Sequence, residues 1–278
     1  MKKCLNKKGF TLLEVLIATL LGSVLTMGAL HFYVTEHNNL ITQYSISDMQ
    51  QNLRSSLNEM TIQIRNAGAN LPDNYQAIES ATTNPDTLTV RYARIGGNIS
   101  IGEKTSKLQT APIHVAKGSD LSSFSIGDKV YLWYTAQNQG EWFTITNVQT
   151  NNGSGWEEIS HSGQELLFDP QTGDAIIALQ EVKYFINAND PSFPLFMRSL
   201  NGDTAQVYAE NINDLQLKYY LSTFDTVDVV TPFDSIFVVN VSMTFQTIQE
   251  DYEMAKNSGQ GYRFRTLETE VLVRNNRF

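Results

Sequence analysis

Residues 10–34 read FTLLEVLIATLLGSVLTMGALHFYV, twenty-five residues with a single charge, Glu14. At ~1.5 Å rise per residue, a helix of this length crosses a hydrocarbon core of about 30 Å. The flanks give it a direction. Four lysines (Lys2, Lys3, Lys7, Lys8) precede Gly9, and after Val34 the first Lys or Arg is Arg54. The positive-inside rule therefore places the N-terminus in the cytoplasm and the remainder across the membrane. The apolar run exceeds the about 7–15 residues of a cleaved secretory signal, and no A-x-A-like site follows it. The segment is expected to be retained.

Glu14 is the unusual residue. A carboxylate at mid-bilayer costs on the order of 2.5 kcal/mol, somewhat less near the interface, so an intramembrane acid is by default a functional one. The alternative is an acid that snorkels toward the headgroups or stays protonated. Its neighbours decide. Lys7-Lys8-Gly9-Phe10-Thr11-Leu12-Leu13-Glu14-Val15-Leu16-Ile17-Ala18 resembles the cleavage and methylation motif of type IV prepilins and pseudopilins: a basic leader ending in Gly, then Phe, then Glu at the fifth mature position. The resemblance implies that Lys7 and Lys8 belong to the leader and that Gly9 is its last residue, recognised by a prepilin peptidase. It implies that Phe10 becomes the mature N-terminus and is N-methylated. It further implies that Glu14 pairs with the N-terminal ammonium of a neighbouring subunit during assembly, since two buried opposite charges relieve each other.

No proline occurs between Phe10 and Leu71. Past the apolar run, Ile46, Met49, Leu53, Leu57, Met60 and Ile64 are spaced three or four apart, the stripe of an amphipathic helix. Gly68 and Pro72 then mark its stop near Asn66. The expected organisation is a cleaved leader at 1–9, a transmembrane segment at 10–34, an amphipathic continuation at 35–66 and a β-rich head at 67–278, periplasmic or extracellular. Candidate strands are Thr87–Ala93, Lys129–Thr135, Trp142–Val148, Val182–Ile186, Leu195–Leu200, Asp214–Leu221, Ser235–Thr247 and Tyr262–Val273, rich in β-branched and aromatic residues and parted by Asn, Gly, Asp and Ser. In the sixth, Leu215, Leu217 and Tyr219 fall on one face. The fold class is thus α+β: a long N-terminal helix packed on an antiparallel sheet, with a β-rich insertion. Residues 126–132 and 142–148, and the close at 263–275, look like parts of PilW-type minor pilins.

The remaining chemistry is sparse. The one cysteine, Cys4, lies in the leader, so the mature chain offers neither a disulfide nor a thiolate metal site. Without the leader 16 basic residues face 29 acidic ones, an acidic balance that argues against nucleic acid as a direct partner. His31, His37, His114 and His161 are scattered, and no P-loop, nucleophile elbow or dinucleotide fingerprint occurs. An enzyme is not expected, and neither is a cofactor. Asp225, Asp228 and Asp234 form an acidic loop that reads as solvated rather than calcium-binding. Trp133, Tyr134, Trp142 and Trp156 read as core and edge aromatics rather than a ligand platform. The expected partners are the prepilin peptidase and methyltransferase, other minor and major pilins, and inner-membrane lipid. The leading expectation is a minor pilin of a type IV pilus, acting in assembly initiation or in a tip complex. The alternatives are a minor pseudopilin of a type II secretion system and a ligand-binding subunit, adhesive or DNA-uptake.

Overall fold

The computed structural model describes residues 10–72, 75–81, 83–109, 111–150, 156–162, 165–223, 225–231, 235–251, 254, 256 and 261–274. One helix, α1, runs from Leu12 to Asn66, about 80 Å at 1.5 Å per residue. It ends where Gly68 takes a positive φ of 76°. The residue at that turn carries no Cβ to clash, and its N–H donates to the Arg91 carbonyl at 3.0 Å. The strands that follow are β1 (Ile78–Ala81), β2 (Thr87–Ser100), β3 (Ile113–Val115), β4 (Lys129–Tyr134), β5 (Gln139–Gln149), β6 (Glu157–Ser162), β7 (Ala175–Asn187), β8 (Leu195–Leu200), β9 (Gln206–Glu210), β10 (Ile212–Leu221), β11 (Thr226–Val227), β12 (Ile236–Gln246) and β13 (Phe264–Leu272). The fold is therefore α+β and pilin-like, with every strand pair antiparallel.

The chain divides into two compact units, one of residues 1–50 and 247–263, the other of 51–246 and 264–278. The first holds the apolar part of α1. Its other segment is joined by the Arg263 guanidinium, whose Nε donates to Asp251 Oδ2 at 2.6 Å.

The second unit carries both sheets. The larger has the order β1-β2-β7-β4-β5-β6-β3, with β8 on β7 and β9 on β8. Strand β7 is its spine. One edge pairs with β2 along most of its length, while the other is shared: residues 175–177 bond β4 and residues 182–187 bond β8. The smaller sheet is β11-β10-β12-β13. Alternation along β10 works as the sequence predicts, with Leu215, Leu217 and Tyr219 all buried. The two sheets are stitched at Asp86, whose N–H donates to the Leu215 carbonyl at 2.9 Å and whose carboxylate accepts from the Leu217 N–H at 2.8 Å. Burial pushes the Asp86 carboxyl up from the ordinary range. The β-rich insertion has its own core, in which one face of β4 (Val130, Leu132, Tyr134) meets Ile101, Ile113, Val115, Phe143 and Ile159.

The C-terminal part of α1 presents Leu53, Leu57, Met60 and Ile64, all buried, as the stripe predicts. A polar clamp fixes its register on the larger sheet. Glu59 Oε1 accepts from the Tyr184 hydroxyl on β7 at 3.0 Å and from Arg198 Nη1 on β8 at 3.2 Å. Burial, and then the Glu59 charge, push the Tyr184 phenol up, so it stays protonated and donates. Glu59→Ala removes the shared acceptor and strands a buried hydroxyl and a partly buried guanidinium. Urea unfolding should show a loss of about 2 kcal/mol, with Glu59→Gln losing less because it keeps an acceptor oxygen.

Candidate functional site

The site is the N-terminal end of α1. Lys7, Lys8 and Gly9 lie outside the described residues, and the described chain starts at Phe10, which is 87% exposed. Thr11 is the N-cap. Its hydroxyl accepts from the Glu14 N–H at 3.2 Å, and the Glu14 carboxylate reaches back to accept from the Thr11 N–H at 2.9 Å and the Thr11 hydroxyl at 3.0 Å. This is a reciprocal capping box, Thr-x-x-Glu, which satisfies donors that the first helical turn otherwise leaves free. Glu14 therefore has a local structural task in the single subunit, beside any task between subunits. The sequence reading passed over Thr11, although the Thr-Leu-Leu-Glu spacing is the signal that identifies it.

On both sides of Glu14 the helix surface is apolar and exposed, from Leu12, Leu13 and Val15 to Phe32, Tyr33 and Val34. The hydroxyls embedded in it are turned onto their own backbone. Thr19 donates to the Leu16 carbonyl at 2.9 Å, Ser23 to Leu20 at 2.8 Å, Thr26 to Gly22 at 2.8 Å and Thr35 to His31 at 3.0 Å. Such back-bonding lets a polar residue sit in hydrocarbon without an orphaned group. The apolar stretch of α1 is exposed, and the helix is long and apolar enough to cross a membrane. Where the apolar run ends, Tyr33 and His37 stack one turn apart, centroids 5.9 Å.

The other candidates separate. Asp225 and Asp228 are exposed, and Asp225 accepts from the Thr223 hydroxyl at 2.9 Å. Asp234 lies outside the described residues. Among the described residues no group of three or more His, Cys, Asp or Glu side chains is arranged to hold a metal ion. The four aromatics do not form one platform. Tyr134 points into the core of the insertion, Trp133 and Trp142 share the opposite face of the sheet, and Trp156 stacks on His114. His161 is buried, and burial holds its imidazole below the ordinary value, which marks a neutral core histidine.

Residues 4–30 match the family described as the prokaryotic N-terminal methylation motif. The match spans Gly9, Phe10, Thr11 and Glu14 and stops inside the apolar run, so the segments at 126–132, 142–148 and 263–275 lie outside it. No curated protein and no solved structure significantly matches the chain. The motif, the apolar helix and the antiparallel sheets together support a type IV pilin-like protein anchored in a membrane, of a class processed by prepilin peptidase and assembled with other pilins.

Proposed function

We propose that the chain is a minor pilin of a type IV pilus, taking part in pilus initiation or in the tip complex. Before assembly it sits in the inner membrane, crossing once, with the N-terminus cytoplasmic and residues 67–278 periplasmic. Prepilin peptidase cuts between Gly9 and Phe10, and the new Phe10 amine is methylated. The exposed apolar flank of α1 then exchanges lipid for the helices of other pilins. Glu14 meets a neighbour's amino terminus, and the β-rich head selects partners. The protein acts as a structural subunit, without catalysis.

The observation that carries this reading is the coincidence, at one helix end, of an exposed Phe10, an acid at the fifth mature position and the matched motif. The length of the mature chain (269 residues follow Gly9) favours a minor subunit over a major one. A pseudopilin of a type II secretion system shares this N-terminus, and co-purification of pilus rather than secretion components separates the two. The direct test is mass spectrometry of the N-terminal peptide from the native host. The expected first residue is N-methylated phenylalanine, and a peptide that begins at Met1 would overturn the reading.

A further inference from the structure

The face of the larger sheet opposite the insertion core holds a hollow that the assembly chemistry does not use. Cross-strand register builds it. On β4, Tyr131 and Trp133 alternate with the core residues, Trp142 of β5 pairs with Tyr131, and Arg91 of β2 pairs with Glu181 of β7. Tyr75, from the segment before β1, leans over them. Its ring meets Tyr131 edge-on at 5.5 Å and Trp133 at 5.6 Å, and Tyr131 meets Trp142 edge-on at 5.2 Å. Beneath lies an apolar floor of Leu71, Ala93, Ile177 and Leu179.

A packed core would fill this space. Instead a cavity of about 320 Å³ stays open, lined among the described residues by Tyr75, Gln76, Arg91, Tyr131, Trp133, Trp142 and Glu181. That volume is at the small end of the roughly 300–1,000 Å³ of ligand pockets, room for one or two small rings. Tyr75, Tyr131 and Trp142 are only half-buried. The polar groups are held in place: Arg91 Nε donates to Glu181 Oε2 at 2.6 Å and Nη2 to Glu79 Oε2 at 2.5 Å. Gly140 is also fixed, because a Cβ there would come within 2.6 Å of the Tyr131 ring.

The lining decides the ligand class. Its charges are already engaged: Arg91 pairs with both Glu181 and Glu79, and Lys129 Nζ lies 5.2 Å over the Trp142 ring, so two cations face two carboxylates and the hollow has no net charge to draw in an ion. What it offers is aromatic surface beside planar, bidentate polar groups. The faces of aromatic rings are electron-rich and attract weakly polarised C–H bonds, while a guanidinium, a carboxylate and an amide suit vicinal hydroxyls. One compact chemical class carries a ring of C–H bonds on one side and neighbouring hydroxyls at its rim. We propose that this hollow binds an uncharged pyranose sugar, with Trp142 and Tyr131 stacking on the ring and Arg91, Glu181 and Gln76 taking its hydroxyls. The proposal is independent of the membrane and assembly reading, since every residue it uses lies within the second unit.

The test uses the full chain in polyoxyethylene detergent, whose headgroup is not a sugar. Tryptophan emission is followed while D-glucose, D-galactose, D-mannose and N-acetyl-D-glucosamine are titrated, with tetramethylammonium chloride as the cationic comparison. At least one sugar should give a saturable change with a millimolar midpoint, the strength expected of a ligand of about a dozen heavy atoms. Trp142→Ala should raise that midpoint about tenfold or more. Trp156→Phe, outside the hollow, should leave it unchanged. Glu181→Gln, which keeps size and shape, should weaken binding while the thermal midpoint shows the fold intact, so the result stands even if Trp142→Ala unfolds. Silence with all four sugars, an equal midpoint in the Glu181→Gln and parent proteins, or a response to tetramethylammonium alone overturns the proposal.

Discussion

Replacing Gly9 with a bulky residue such as Leu should leave the protein at precursor size in its native host, with processing falling from complete to undetectable on an immunoblot. The physical ground is access. On the proposed assignment, a peptidase acting at the membrane face would take the backbone in an extended form at the junction between a lysine-rich leader and the apolar helix. Gly9 is the residue there that adds no side chain against the enzyme. Phe10 begins the described chain as an exposed residue two places before the helix starts at Leu12. Normal maturation of the Gly9→Leu protein would remove the leader assignment, and with it Phe10 as a methylated terminus.

Glu14 is expected to be indispensable one step later, and the capping box makes the prediction sharper than a single alanine variant allows. Glu14→Ala should be processed normally and yet be nearly absent from filaments sheared from cells. That result alone leaves two explanations, since alanine abolishes both the charge and the reciprocal bonds with Thr11. Glu14→Gln separates them. A glutamine at this position of a capping box still accepts from the Thr11 N–H, but it carries no charge for a neighbour's ammonium. If the carboxylate acts between subunits, Gln fails as Ala does. Filaments that take up the Gln variant at parental level would reduce Glu14 to a helix cap.

Much of this fold is legible in the sequence because its strongest signals are local. The helix from Leu12 to Asn66 announces itself by an unbroken apolar run, then by the stripe from Ile46 to Ile64, then by Gly68 and Pro72. Strand β8 falls at the predicted Leu195–Leu200, and β4, β10 and β12 come within two residues of expectation at each end. The strands that sequence reading misses have no pattern of their own. Strand β6 carries Glu157 and Glu158, β9 is largely exposed, and β3 and β11 have three and two residues; each exists because a neighbour offers a ladder to join. Strand β2 runs past its predicted end at Ala93, and the Gly96-Gly97 pair falls within an irregularity in its pairing with β7 between Ala93 and Asn98.

The site is legible in the same uneven way. The proposed roles of Gly9, Phe10 and Glu14 come from the resemblance of one short run of neighbouring residues to the prepilin motif, which a local window can read. The contact between Glu59, Tyr184 and Arg198, and the one between Arg91 and Glu181, join residues about ninety or more positions apart, which no local window connects.

The inward-turned hydroxyls of Thr19, Ser23 and Thr26 have a mechanical consequence. With those hydroxyl protons held by their own backbone, the flank of the rod from Val15 to Met27 offers adjoining rods mainly shape to grip. Contact between such rods rests on close packing of side chains, so neighbouring rods can shift lengthwise without breaking a directional bond. Under tension a bundle of such rods would yield along its flanks, and a fixed alignment would come from their two ends, the one that bears the acid and the one that bears the head.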